Sequence, residues 1–277
     1  MRTRFIIGSV LWNTLRGKAA TAPRTTMTRN STVYLEKRGC IAELVMNRPE
    51  VLNAKNWQMA EDFHVVLDEL EAATDLRVVI VTGKGGSFSS GIDLNALAAG
   101  ELKIDWFRRF DEGVRRLEQL EALTIAKIRG YAVGGGLLVA LGCDLRIAAP
   151  DALLGLPSVL DALIPGMGIY RLPRFIGLGR ARRMVLTGEL ISANEALAIG
   201  LVDWVVAEEK LDATTESIIV QTMKGSATAR GFSKKLMNGS FESDFDEALR
   251  DYLEYQERTL LSEDHKRAMA EFRSRKK

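Results

Sequence analysis

Along residues 56–73 the apolar positions Ala60, Phe63, Leu67 and Leu70 recur at intervals of three, four and three. That spacing lines one face of an α-helix and predicts an amphipathic helix laid on a core. Before it, β-forming residues cluster across 33–46 on both sides of Gly39, which predicts a two-stranded hairpin ended by Asn47-Arg48-Pro49-Glu50. Afterwards strand-like and helix-like stretches alternate: a buried strand at 77–82, a helix at 106–121, a strand at 125–129, a short buried helix at 137–141 and a strand at 145–149. Alternation without a fixed repeat indicates an α/β domain. Beyond Pro165 a helix over 180–186 stops at Gly188, and Ser192-Ala193-Asn194-Glu195 is a capping box that opens a short helix ended by Gly200. A strand is expected at 201–206. Past Glu208 the pattern is helical, with Phe245, Leu249, Tyr252 and Gln256 on one stripe and Ser262 placed to cap a last helix. The expected organisation is a segment of residues 1–30, a core of 31–206 and a helical C-terminal region of 207–277.

Two glycine-rich turns interrupt this pattern, Phe88-Ser89-Ser90-Gly91-Ile92-Asp93-Leu94 and Gly130-Tyr131-Ala132-Val133-Gly134-Gly135-Gly136-Leu137. Each ends an apolar run and opens a helix. Without a Cβ, the backbone can approach a ligand and turn bare N–H groups toward developing negative charge. Two such turns facing each other could hold one oxyanion.

Composition narrows the alternatives. The 277 residues, 47% of them hydrophobic, can fill a substantial core, and no apolar run reaches the roughly 18 residues of a membrane span. The net charge of +2 conceals a basic beginning: Arg2, Arg4, Arg16, Lys18, Arg24 and Arg29 precede the first acid, Glu36. With Phe5, Ile6, Val10 and Leu11 at near-helical spacing, this segment has the composition of a mitochondrial presequence; the alternative is an extension upstream of a start at Met27. The first would place the protein in the mitochondrial matrix, and a bacterial source would place it in the cytoplasm. Either way residues 1 to about 30 are expected to stand outside the fold. Elsewhere bases are mixed with acids, as in Arg108-Arg109-Phe110-Asp111-Glu112, which suits a solvated helix face and not a nucleic-acid surface. Cys40 and Cys143 suit a reducing compartment and offer no disulfide framework. His64 and His265 give no zinc spacing and leave no basis for a histidine triad.

Residues 86–91 match half a phosphate loop, but Ile92-Asp93 stands where a lysine and a hydroxyl residue belong, so a nucleotide triphosphatase is rejected. Thr82-Gly83-Lys84-Gly85-Gly86 lacks the third glycine and the immediate helix of a dinucleotide fingerprint.

Taken in order, Asn47-Arg48-Pro49-Glu50-Val51-Leu52-Asn53-Ala54, the two glycine turns, Cys143-Asp144, Arg171-Leu172-Pro173-Arg174 and Gly200-Leu201-Val202-Asp203 resemble the crotonase (enoyl-CoA hydratase/isomerase) family over residues 33–275. The resemblance implies a spiral of ββα units with a helical C-terminal trimerisation region, assembled as a homotrimer or a dimer of trimers. It implies an acyl-CoA substrate of fatty acid metabolism and no permanently bound cofactor, coenzyme A arriving as part of the thioester. By position, the N–H groups of Ile92 and Gly135 would form the oxyanion hole. Val51, Leu52, Ala54, Asp93 and Leu94 would line the coenzyme A path, with Phe272 and Arg275 reaching it from a neighbouring subunit.

The pattern breaks at the acid and base. The two glutamates of the family's hydratases correspond to Leu138 and Ser158, and no acid stands near Gly166, where related isomerases carry one. Since a positioned acid or base contributes about 10²–10⁴-fold, efficient hydration is disfavoured. Three readings follow. Another group supplies the base, with Asp161 first and Glu112 and Tyr170 behind it, although a carboxylate in a loop is ordinarily a surface group. Alternatively, a small anion such as bicarbonate, or an ordered water beside Ser158, replaces the glutamate. In the third, the chain is a catalytically silent acyl-CoA-binding protein.

Overall fold

A computed structural model describes residues 24–26 and 31–275. The basic segment expected to be a presequence or upstream extension falls outside the described residues except for strand β1 (Arg24–Thr26), which pairs antiparallel with residues 35–37. That piece belongs to the sheet, which corrects the expectation that everything before residue 30 stands apart. Strands β2 (Val33–Arg38) and β3 (Ile41–Met46) form the predicted hairpin. Helix α1 (Trp57–Ala72) follows, capped by Asn56, whose side chain accepts from Met59 N–H at 3.0 Å. Its predicted face of Ala60, Phe63, Leu67 and Leu70 is buried.

Next come β4 (Val78–Gly83), α2 (Leu94–Ala98), α3 (Ile104–Gln119), β5 (Leu123–Ile128), β6 (Tyr131–Val133), α4 (Gly135–Leu141), β7 (Leu145–Ala148) and β8 (Leu153–Gly155). Helices α5 (Gly168–Ile176) and α6 (Leu178–Thr187), strand β9 (Leu190–Ser192), helix α7 (Ala193–Ala198), strand β10 (Trp204–Val205) and helix α8 (Leu211–Thr222) complete this part. Seven strands form one sheet in the order β1-β2-β3-β4-β5-β7-β10, parallel from β3 onward; β6, β8 and β9 form a second, small sheet. Every residue of β4 and β5 is buried, as expected for central parallel strands covered on both faces. The capping box is present: Ser192 Oγ accepts from Glu195 N–H at 3.2 Å. The strand expected at 201–206 shrinks to two residues because Leu201 and Val202 donate their N–H groups to Ala196 C=O and so close the preceding helix.

By contact density the chain forms two units, divided within α8 between Ser217 and Ile218. The second contains helices α9 (Ala227–Gly239), α10 (Phe245–Leu261) and α11 (Glu263–Ser274). Within it the Phe232 and Tyr255 rings stack at 4.7 Å, and Asp264 accepts from Ser226 Oγ and Ala227 N–H, joining the starts of α9 and α11. The stripe residues Phe245, Leu249 and Tyr252 on α10 are exposed. Among the described residues, no helix is long and apolar enough to cross a membrane.

Candidate active site

After each of the strands β3, β4, β5 and β7 the chain leaves the large sheet and returns beside the preceding return. Lys55 bridges to Ile92, Ser89 bridges to Ala132, and β6 pairs with β8. The two glycine turns are therefore stitched into adjacent positions. Lys55 N–H donates to Gly91 C=O at 2.8 Å and Asp93 N–H donates to Lys55 C=O at 2.9 Å. Both bonds flank Ile92, so Ile92 N–H itself points away from the Lys55 segment. Ser89 is held in the same way on the other side, by Tyr131 C=O and Val133 N–H.

The turns touch. At Gly91, where φ is +109°, a Cβ would lie 3.0 Å from Val133 O and 3.6 Å from Gly135 N, so only glycine suits both the conformation and the approach. Gly135 is the first residue of α4, where a backbone N–H has no partner within the helix. Among the described residues, neither Ile92 N–H nor Gly135 N–H donates to a backbone carbonyl.

Under these turns lies a lysine that sequence reasoning passed over. Lys55 is 2% exposed; its Nζ donates to Ser89 Oγ, and that oxygen also accepts from Gly91 N–H at 3.2 Å and donates to Asn53 C=O at 2.8 Å. Burial pushes the Lys55 pKa down to about 7. Its Cδ and the Phe110 ring both lie 3.4 Å from where a Gly135 Cβ would be, so the amine's stem packs beneath the second turn.

The positions of the expected acid and base carry no carboxylate. Leu138, one helical turn beyond Gly135, is buried, and its methyl groups border Gly166 and Gly168. Asp161 ends the 3₁₀ turn Pro157–Asp161 with an exposed side chain that makes no hydrogen bond or ion pair among the described residues. Glu112 is exposed on α3, and Tyr170 on α5 stacks under the Arg174 guanidinium at 3.3 Å. What does stand beside Leu138 is Asp111. Its Oδ2 lies 2.8 Å, and Leu138 Cδ1 3.3 Å, from the position a Cβ would take on Gly166. Asp111 accepts from Met167 N–H at 3.3 Å, and Arg171 Nη1 lies 4.0 Å away. Burial lifts the Asp111 carboxyl above the ordinary aspartate range, against the opposing pull of Met167 N–H and Arg171. His64 is structural: Arg116 donates to its Nδ1 at 3.0 Å while Nε2 meets Arg109 C=O at 2.7 Å.

The residues expected on the coenzyme A path are divided. Val51 ends a 3₁₀ turn, Leu52 and Leu94 are exposed, and Ala54 is buried with its C=O held by Arg48. Leu52 and Asn53 both adopt positive φ. Asn53 pins that strained turn through Oδ1 to Arg48 N–H and Nδ2 to the carbonyls of Lys84 and Ser87. Asp93 caps α2 through the N–H groups of Asn95 and Ala96 and pairs with Arg48 at 2.9 Å. Burial opposes ionisation of Asp93, but the Arg48 and helix N–H bonds outweigh it and hold its pKa below the usual range. Asp93→Ala is therefore expected to cost about 0.5–2 kcal/mol at neutral pH, the usual loss of an N-cap. Because the folded pKa is depressed, this contribution is present above the unfolded pKa and disappears as pH falls through the folded one, so wild type and variant should converge in acid urea titrations. Phe272 and Arg275 lie at the end of the second unit, both exposed.

Among the described residues no group of three or more histidine, cysteine, aspartate or glutamate side chains could hold a metal ion. The model of the enoyl-CoA hydratase/isomerase family matches residues 36–277. The short-chain-enoyl-CoA hydratase of Clostridium acetobutylicum is 36% identical over 251 residues, covering 88% of this chain and 95% of that protein. The crotonyl-CoA hydratase of Syntrophomonas wolfei is 34% identical over 257 residues, covering 88% and 96%. Among solved structures, the enoyl-CoA hydratase of Bacillus anthracis superposes with a TM-score of 0.83 at 29% identity, covering 88% of this chain and 96% of that one. A Thermobifida fusca protein assigned to the enoyl-CoA hydratases and solved in complex with CoA superposes with a TM-score of 0.75 at 28% identity, covering 83% and 93%. With the spiral of paired strands, the two touching glycine turns and a family match spanning nearly all of the described fold, the chain belongs to the enoyl-CoA hydratase/isomerase family, the crotonase superfamily.

Proposed function

We propose that this chain binds an acyl-CoA thioester and stabilises its enolate between the N–H groups of Ile92 and Gly135. The observation that carries the reading is the contact between the two glycine turns, with both N–H groups lacking backbone acceptors among the described residues. A thioester carbonyl gaining negative charge needs two such donors, already oriented before the reaction. The CoA-bound Thermobifida fusca relative supports the ligand class. Exposed Leu52 and Leu94 suit a path for the coenzyme, with Phe272 and Arg275 contributing from a neighbouring subunit of a homotrimer or dimer of trimers. The exposed stripe on α10 is compatible with burial in such an assembly.

The reaction favoured is a proton shift within the bound acyl chain and not the addition of water. Hydration needs a group to activate water and another to deliver a proton, and Leu138 and Ser158 at the two expected positions do neither at neutral pH. A catalytically silent acyl-CoA-binding protein is the second reading, favoured by the apolar Leu138. Incubation with saturated, 2-enoyl, 3-enoyl and dienoyl thioesters, followed by mass spectrometry and chromatography, separates these outcomes. Isomers of unchanged mass are expected. A gain of one water would overturn the preference for proton shift, and saturable binding with no conversion would establish the silent protein.

A further inference from the structure

We propose that Asp111 is the proton-carrying carboxylate of this site, reaching it from α3 in place of the acids missing at Leu138 and Ser158. The inference rests on the acyl-thioester reading and adds the group that moves the proton.

The placement is carried by two neighbours of the second glycine turn. Phe110, adjacent to Asp111, packs its ring 3.4 Å from where a Gly135 Cβ would be. Leu138, a turn further along α4 than Gly135, borders the same space beside Gly166 as Asp111 Oδ2. Gly166 keeps that space open: with φ at +48° and a carboxylate oxygen 2.8 Å from any added Cβ, a side chain there would displace Asp111. The Asp111 side chain is 18% exposed, enough to meet a ligand while largely withdrawn from solvent. Arg171 is buried behind it, with Nη2 on Glu118 at 3.2 Å and with Nε and Nη1 lacking hydrogen-bond partners among the described residues. That guanidinium offers nearby positive charge without a direct bond to Asp111, which leaves the carboxylate free to accept a proton. Burial raises its pKa, the direction that strengthens a base.

In the step proposed, the α-carbon C–H bond of the acyl thioester breaks and an O–H bond forms on Asp111, while the electron pair moves onto the thioester oxygen facing Ile92 and Gly135. Returning the proton to the γ-carbon of a 3-enoyl thioester yields the 2-enoyl isomer. In D₂O, exchange at Asp111 before the return places deuterium at the α-carbon of a saturated thioester.

The test uses the full chain with butyryl-CoA and hexanoyl-CoA, reading binding by calorimetry and α-deuterium incorporation by mass spectrometry. Asp111→Asn keeps an oxygen for Met167 N–H and should fold with unchanged thermal stability. It is expected to bind both thioesters as the wild type does while α-exchange falls at least about 100-fold. Asp111→Glu, which retains a carboxylate, should recover part of the exchange. Undiminished exchange in Asp111→Asn, or its loss in Asp161→Asn instead, overturns the assignment while leaving the thioester site standing. A wild-type protein that binds neither thioester overturns the site reading and the assignment together.

Discussion

Gly135→Pro is expected to slow turnover of the thioester substrate by about 10²–10³-fold, the loss typical of removing one oxyanion donor. The variant separates chemistry from folding unusually well. Position 135 is the first residue of α4, where proline's fixed φ suits the helix and the missing N–H had no intrahelical partner. Gly134 before it sits at φ 52° and ψ −122°, the mirror image of the extended region, so the proline ring does not force it out of a helical conformation. A Cβ at 135 meets Lys55 Cδ and the Phe110 ring at 3.4 Å, ordinary contacts. Thermal stability should therefore change little. Gly135→Ala, which keeps the N–H and adds the same Cβ, should lose far less activity than the proline variant. The neighbouring glycine fails differently: a Cβ at Gly136 would lie 2.3 Å from Ser89 O, so Gly136→Ala is expected to damage the fold itself. Steady-state rates and melting temperatures of the three variants check this. Equal activity in the proline variant and wild type, or equal losses in Gly135→Pro and Gly135→Ala, would remove the amide from the mechanism.

Long periodic elements were legible in the amino-acid pattern because burial of one face dictates it. The face of α1, the hairpin turning at Gly39, the Ser192 cap and the Gly188 stop all lie where spacing and capping chemistry put them. Pieces too short to display a period were not. Strands β6, β8 and β9 have three residues each, and their pairing depends on partners distant in the chain. Helix α5 carries Pro173 in its interior, which reads locally as a break. Strand β1 gives no strand signal of its own and exists through pairing with β2.

The two touching glycine turns of the candidate site were similarly visible, since glycine there marks a close backbone approach, whereas side chains brought beside them from other elements were hidden. Asp111 sits in a run of charges that suits a solvated helix face. A closer signal was available in its spacing: Asp111 and Glu118 are seven residues apart on α3, hence on one edge of the helix, and both approach buried Arg171. Lys55 had no comparable signal, because a lysine next to a turn is ordinarily exposed and its burial comes from Ser89 and Phe110, which lie far along the chain.

Lys55→Met should make the protein more stable, and the gain should depend strongly on pH. A lysine in the unfolded chain titrates near 10.5, while burial lowers the folded value to about 7. Below pH 7 the amine is charged in both states, so the folded protein bears the whole cost of a buried ammonium. From pH 7 to 10.5 the unfolded chain holds a proton that the folded chain does not, and wild-type stability rises by up to about 1.4 kcal/mol per pH unit. Above 10.5 both states are neutral and the penalty is gone. Methionine matches the length of the stem and carries no charge, so its advantage should amount to several kcal/mol, on the order of 3–4, at pH 6. At high pH the advantage should vanish, or reverse by about 1 kcal/mol as the bond to Ser89 is missed. Urea unfolding of wild type and variant at pH 6, 8 and 10 reads this slope directly. A gap that stays constant over that range would mean that Lys55 does not lose its proton on folding, and that the amine beneath the two glycine turns remains an ammonium throughout.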